Sequence, residues 1–192
     1  MKGFNIIRKD ITAPGLRGIC IIIRNNILYL TIDLPELSNP SVEVIGIIIH
    51  INSAPCLIIN IYRHPGLNTP YSFYEKLFDY QSKYQHLLIL GDFNAHHTFW
   101  FNSYDDGSGR VLAKAIDKYN IVVLNNSTLL MPPGSRGSII DLALSSSKLA
   151  ICCSSRTLVD TWGSDHFPVI TTINGVADTL NWFIYKWPLS PV

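Results

Sequence analysis

Charge is what this sequence has least of. Its 192 residues carry 15 Lys and Arg and 14 Asp and Glu, 15% of the chain, for a formal net charge of +1. No block of like charge occurs, so no basic field announces a polyanionic partner, and nucleic acid is neither implied nor excluded. Unbroken hydrophobic runs of membrane length are also lacking. Val44 to Tyr62 contains no Asp, Glu, Lys or Arg, yet Asn52-Ser53-Ala54-Pro55 breaks it with turn chemistry and His50 and Asn60 interrupt it. That pattern reads as the two buried strands of a hairpin, and no membrane partner is expected. The opening MKGFNIIRKD has no apolar core of signal-peptide length, which predicts an intracellular protein, nuclear or cytoplasmic and not secreted. Cysteine is sparse: Cys20, Cys56 and the adjacent Cys152 and Cys153, with no C-x-x-C spacing. This argues against a zinc site or a disulfide framework and for buried free thiols in a reducing compartment.

Apolar side chains, at 47% of the chain, are what the sequence does have, enough to bury the core of one domain. They gather in short runs rich in Ile, Val and Leu, bounded by Gly, Pro, Asn or Ser. Strands are predicted at Gly18 to Arg24, Ile27 to Leu34, Val42 to Ile51, Cys56 to Tyr62, Leu87 to Leu90, Ile121 to Leu124, Ile139 to Leu144 and Phe167 to Ile173. Runs that are apolar throughout imply strands covered on both faces. Two amphipathic helices interrupt them. The first has Ser72 and Glu75 at capping-box spacing before Leu77 and Phe78; the second has Ser108 as N-cap, Val111, Leu112, Ala115 and Ile116 on one face, and Asn120 at its exit. No repeat or low-complexity run is present. The expected fold is an α/β sandwich of sheets flanked by helices over residues 1–175. From Asn174 onward the strand pattern fades, and 176–192, with Trp182 and Trp187, reads as a tail or linker.

Polar residues collect at the ends of the oily strands, where layered α/β folds present reactive groups. Tyr62 ends a strand beside Arg63, a pairing suited to phosphate contact or to plain packing. In Gly91-Asp92-Phe93-Asn94, strand geometry carried through Phe93 would point Asp92 and Asn94 the same way and Phe93 into the core. A carboxylate beside an amide can orient a water, ligate a hard cation or donate to an oxyanion; on these four residues alone an ordinary Asx turn is the better reading. Asp141 stands among apolar neighbours in Ser138 to Leu144, and a carboxylate buried there calls for a partner such as a histidine. Asp165 and His166, in Gly163-Ser164-Asp165-His166-Phe167-Pro168, offer a metal ligand and a general acid or base directly before a strand.

In this order, Tyr62, GDFN at 91–94, S-x-x-D at 138–141 and SDH at 164–166 resemble the endonuclease/exonuclease/phosphatase superfamily. "GDFNAHH…W", "IDLALSS" and "GSDHFPV" are similar to the endonuclease domain of LINE-type, non-LTR retrotransposons. The resemblance runs from about Ile7 to Ile173. It implies a four-layered α/β sandwich of two mixed sheets flanked by helices, and metal-dependent DNA nicking that leaves a 3′ hydroxyl. It implies that Asp92 orients or deprotonates the attacking water, that Asn94 bonds the phosphorane and that Tyr62 contacts phosphate. His166 would meet the scissile phosphate with Asp141 setting its tautomer, and Asp92 and Asp165 would hold Mg²⁺ or Mn²⁺. Arg63, His96 and His97 would border the DNA, Trp100 would anchor their loop, and a reverse transcriptase domain is the implied partner in a full-length element.

The same resemblance implies an N-terminal strand with an Asn and another with a metal-binding Glu. Neither is found here, and Glu36, Glu43 and Glu75 stand at other places, so the expectation is a domain lacking its first strands. Ile19 and Thr98 also depart from the family's usual Gly and Pro. Besides the endonuclease, the sequence leaves open a non-catalytic remnant that binds nucleic acid or a partner, and a related repair nuclease or phosphoesterase.

Overall fold

The longest apolar runs become the middle of a six-stranded sheet. In the computed structural model, which describes residues 2–11, 17–126, 137–175 and 180–184, the strands are β1 (Phe4–Ile11), β2 (Arg17–Arg24), β3 (Leu30–Ile32), β4 (Val42–Ile51), β5 (Ala54–Arg63), β6 (His86–Asp92), β7 (Ile121–Val123), β8 (Asp141–Ser146), β9 (Cys153–Thr157), β10 (Val169–Ile173) and β11 (Leu180–Ile184). The helices are α1 (Tyr71–Lys83), α2 (Gly107–Tyr119) and the single turn α3 (Ser147–Ala150). The large sheet runs β3-β4-β5-β6-β8-β7. It is mixed: β5 and β6 pair in parallel, with α1 as their crossover, and the other neighbours are antiparallel.

The predicted hairpin is β4 and β5. Its two turn residues, Asn52 (φ 48°) and Ser53 (φ 67°), are both left-handed, as a two-residue hairpin turn requires. Strand alternation then sorts the side chains. Leu57, Ile59, Ile61, Leu87, Ile89, Leu142 and Leu144 lie under Phe73, Leu77 and Phe78 of α1 and Leu112 and Ile116 of α2. Ile58, Leu88, Leu90 and Ala143 face the other way, against Ile21 and Ile23 of β2 and Ile173 of β10. Because both faces are covered, β5 and β6 have no polar face until their ends. Each fully buried Leu contributes about 1.5–3 kcal/mol.

The expected α/β sandwich is present, with three layers among the described residues: the helices, the six-stranded sheet, and two small antiparallel sheets, β1-β2 and β11-β10-β9. No second helical layer is among those residues. The Asn60 amide donates to the Cys20 carbonyl at 2.9 Å, tying β2 to the large sheet. Several local expectations are corrected. The α1 N-cap is Pro70 with no side-chain cap. Ser72 therefore lies inside the first turn, and Glu75 pairs with Lys118 of α2 at 2.7 Å. The α2 cap is Asp106, whose Oδ1 accepts from the Gly109 N–H at 2.6 Å, two residues before Ser108; Asn120 does close the helix, at φ 51°. Strand β8 starts at Asp141, leaving Ile139 and Ile140 outside, and β10 starts after Pro168, which cannot donate to a ladder. Strands β1 and β9 are polar enough to escape the pattern, and β11 falls within the expected tail, pairing Ile173 with Leu180 and Val169 with Ile184; Trp187 lies outside the described residues. All four cysteines are free, but Cys20 and Cys152 are exposed, because Cys20 alternates with the inward Ile21 and points outward. No helix among the described residues is long and apolar enough to cross a membrane.

Candidate active site

A single row of residues crosses the large sheet at one end. Pairing sets Glu43 opposite Tyr62, Tyr62 opposite Asp92 and Asp92 opposite Asp141, so all four side chains leave the same face. Two residues inward on that face the row is Ile45, Asn60, Leu90 and Ala143, and the next begins Ile47, Ile58 and Leu88. The acidic groups on this face of the sheet are therefore at its rim, above rows in which Asn60 and Ser145 are the polar members. The second layer adds one group to it: in the loop from β9 to β10, His166 sets Nδ1 2.5 Å from Oδ2 of Asp141. This is the histidine partner that a carboxylate at 141 called for. Asp92, Asp141 and His166 each offer a ligand atom, and these atoms lie within 4.8 Å of one another.

The turn that presents Asp92 is built from backbone constraints. Gly91 has φ 148°, and a Cβ there would lie 1.9 Å from the Ile61 carbonyl oxygen; only glycine lets β6 approach β5 this closely. The strand ends at Asp92, and Phe93 turns back into the helix-side core, as anticipated. Strand geometry does not continue to Asn94, which is left-handed at φ 45°, a conformation that Asn tolerates better than most residues. Its N–H donates to Asp92 Oδ1 at 3.0 Å and its side-chain amide donates to the Arg63 carbonyl at 2.7 Å. Asp92 itself is 4% exposed.

Arg63 is buried and its guanidinium is spent on carbonyls: Nε on Phe93 at 2.6 Å, Nη2 on Asn94 at 2.5 Å, and Nη1 on Leu67 at 2.6 Å. It holds the D-F-N turn from below. His96 and His97 belong to the loop from β6 to α2. His96 Nδ1 lies 2.9 Å from Asp106 Oδ2 and its ring stacks on Tyr104. His97 Nδ1 accepts from the Phe99 N–H at 3.0 Å, with Asp105 Oδ2 3.7 Å from Nε2. Trp100 anchors the loop as expected, fully buried, with its indole N–H on the Ala95 carbonyl at 3.1 Å. Asp165 is exposed and is not one of the three clustered groups.

Three side chains around the site carry no sequence signal. Asn102 brackets Ile139, donating to its carbonyl and accepting from its N–H, both at 2.9 Å. Asn125 does the same for β8, donating to the Asp141 carbonyl at 2.9 Å and accepting from the Ala143 N–H at 2.8 Å. Glu43 completes the row beside Tyr62. An isolated Asn in a loop looks like turn chemistry, and only the fold shows which strand it clamps.

A carboxylate and an amide on one turn, an acid–imidazole pair across from them and a phenol in the same row, all at the rim of an α/β sandwich, define a hydrolytic class of nucleases and phosphatases. The chain belongs to the endonuclease/exonuclease/phosphatase superfamily: the family model described as Endonuclease-reverse transcriptase matches residues 56–170, more than half of it. Among solved structures, it resembles the endonuclease domain of TRAS1, a telomere-specific non-LTR retrotransposon, with TM-score 0.74 and 18% identity over 91% of this chain and 80% of that one. The 3′ phosphatase NExo from Neisseria, bound to a product DNA hairpin, matches with TM-score 0.64 and 19% identity over 90% and 80%. The AP endonuclease LMAP from Leishmania major matches with TM-score 0.62 and 12% identity over 96% and 71%. At these identities the likeness is one of fold. No curated protein matches the sequence.

Proposed function

We propose that this chain is the DNA-nicking endonuclease domain of a non-LTR retrotransposon-type protein, hydrolysing a phosphodiester with the help of a divalent cation. The observation that carries the reading is the cluster of Asp92, Asp141 and His166 within 4.8 Å, with Asn94 braced beside it. Carboxylate oxygens at this rim suit a hard divalent cation, Mg²⁺ or Mn²⁺. Asp92 in the cluster and Asp165, next to His166 in the chain, are the residues proposed to hold it. When bound, the cation neutralises charge on the phosphate.

The chain's own groups divide the work as follows. Asp92 orients a water and takes its proton as the water oxygen attacks phosphorus. Asn94, locked by its bonds to Asp92 and Arg63, donates to the phosphorane oxygen. Tyr62 contacts the phosphate. His166, held in orientation by Asp141, delivers a proton to O3′ as the P–O3′ bond breaks, leaving a 3′ hydroxyl and a 5′ phosphate. Arg63 acts through the turn it braces, and His96 and His97 shape the loop that borders the DNA. In a full-length element the 3′ hydroxyl would prime a reverse transcriptase domain.

Plasmid nicking tests the reading. Supercoiled DNA should become nicked circle with Mg²⁺ and not with EDTA, and Asp92→Asn or His166→Ala should slow it by about 10²–10⁴-fold. Nicking that survives both substitutions would sink the assignment. Retarded migration of duplex DNA with no cleavage by the wild-type chain would select the non-catalytic, DNA-binding remnant instead.

A further inference from the structure

One buried acid in the polar row has no part in the hydrolysis described above. Glu43 is 2% exposed, and neither of its carboxylate oxygens accepts a hydrogen bond. Its close polar neighbour is His64, whose Nε2 lies 3.1 Å from Oε1. Both partners are buried. A pair like this costs desolvation that an apolar residue of similar volume would not, so its presence asks for a reason beyond stability.

Its place in the fold supplies one. On the same face of β4 the following residues are Ile45, Ile47, Ile49 and Ile51, and the carboxylate appears only in the row that holds Tyr62, Asp92 and Asp141. Glu43 is the direct cross-strand neighbour of Tyr62. His64, two residues past Tyr62, sets its ring against the phenol edge to face, with centroids 4.9 Å apart and planes at 79°. The backbone carrying the ring is itself fixed, since the His64 main-chain N–H donates to the Ser41 carbonyl at 2.9 Å. Tyr62 is thus bounded across the strand by Glu43 and along the strand by the ring that Glu43 contacts.

We propose that Glu43 and His64 form a buried acid–imidazole pair that positions Tyr62 at the phosphate end of the site. The proposal rests on the reading of Tyr62 as the phosphate contact. Glu43 and His64 are positioning residues: they act through the phenol and touch no reacting atom. Replacing the Glu43 carboxyl by an amide leaves the backbone ladder intact but loosens the His64 ring, and with it the phenol.

A double-mutant cycle tests this in the nicking assay. Glu43→Gln should lower kcat about tenfold with KM within about twofold, and the same substitution placed on Tyr62→Phe should change kcat by less than about twofold. Equal losses in both backgrounds would mean a scaffold role and overturn the proposal. A second readout does not depend on cleavage: fluorine NMR of fluorotyrosine placed at position 62, with and without inorganic phosphate. The wild-type resonance should be narrow and move on adding phosphate, and Glu43→Gln and His64→Phe should each displace it and weaken that response. A resonance unchanged by both substitutions refutes the pairing. If Asp92→Asn nicks like wild type, the hydrolytic assignment fails on its own, and the fluorine spectra still decide the pair.

Discussion

Truncating Asn102 to alanine strips two buried backbone groups of their partners at once. The side chain is 5% exposed and makes both of its bonds to Ile139, through Nδ2 to the carbonyl and from the N–H to Oδ1, each at 2.9 Å. A buried donor or acceptor left unmade costs about 1–3 kcal/mol, so two of them should destabilise the fold by about 2–4 kcal/mol once local relaxation is allowed. Asn102→Asp keeps an acceptor for the N–H but turns a carboxylate oxygen toward the Ile139 carbonyl, and at neutral pH it should be no more stable than the alanine variant. Urea unfolding followed by far-UV circular dichroism checks both, with unchanged denaturant slopes showing that the loss is one of native stability. The functional consequence is local: Ile140, one residue on, accepts from the Phe93 N–H at 2.8 Å, and Asp141 follows. Nicking should therefore fall further than the folded fraction does. An Asn102→Ala midpoint equivalent to less than about 1 kcal/mol of loss would refute the reasoning.

Gly91→Ala should be more damaging still, by upwards of about 3 kcal/mol, since its Cβ meets the Ile61 carbonyl at 1.9 Å in a left-handed conformation; a thermal midpoint at the wild-type value would contradict the strand contact. Asp106 caps α2. Burial pushes its carboxyl up, but the Gly109 N–H and the His96 imidazole outweigh this and hold it below the usual carboxylate range. Because the folded value is the lower one, the stability that Asp106 contributes is present above the unfolded value of about 4 and is lost as pH falls through the folded value. Wild type should accordingly exceed Asp106→Ala at about pH 6 by roughly 1 kcal/mol and by less at about pH 3, and a gap that widens on acidification would show the sign to be wrong. Burial pushes the Cys56 thiol up to about 12, so iodoacetamide should label exposed Cys152 in the native protein and Cys56 only after unfolding. Mass spectrometry finding Cys56 labelled as fast as Cys152 would place it at the surface.

Where covering is two-sided, the sequence is explicit: β4, β5 and β6 read as oily runs because each has helices on one face and a small sheet on the other. Where a strand is narrow or half wet, the pattern fails. FNIIRKDI and CSSRT carry too few inward apolar residues to announce β1 and β9, and residues 180–184 become β11 only because β10 offers a free edge. Helix starts depart from the local pattern for a similar reason. Ser72 and Ser108 have cap chemistry, yet Pro70 and Asp106 occupy the caps, since the direction from which the chain enters decides which side chain can reach the first turn.

The site divides along the same line. Asp92, Asn94, Asp141 and His166 are reactive groups at the ends of apolar runs, weak signals one by one, and it is their order along the chain, matching the family pattern, that makes them legible in the sequence. Burial cost calls for a partner to Asp141 such as a histidine; that this partner is His166 comes from the family resemblance, and the fold brings the two together. Tertiary structure alone decided the rest. It set Glu43, Tyr62, Asp92 and Asp141 in one row, turned Arg63 inward onto the Phe93 and Asn94 carbonyls, left Asp165 exposed, and placed Asn102 and Asn125 on the strand that carries Asp141. These outcomes depend on strand register and on which backbone groups lie within about 3 Å of a side chain, and neither is encoded in the spacing of residues along the chain.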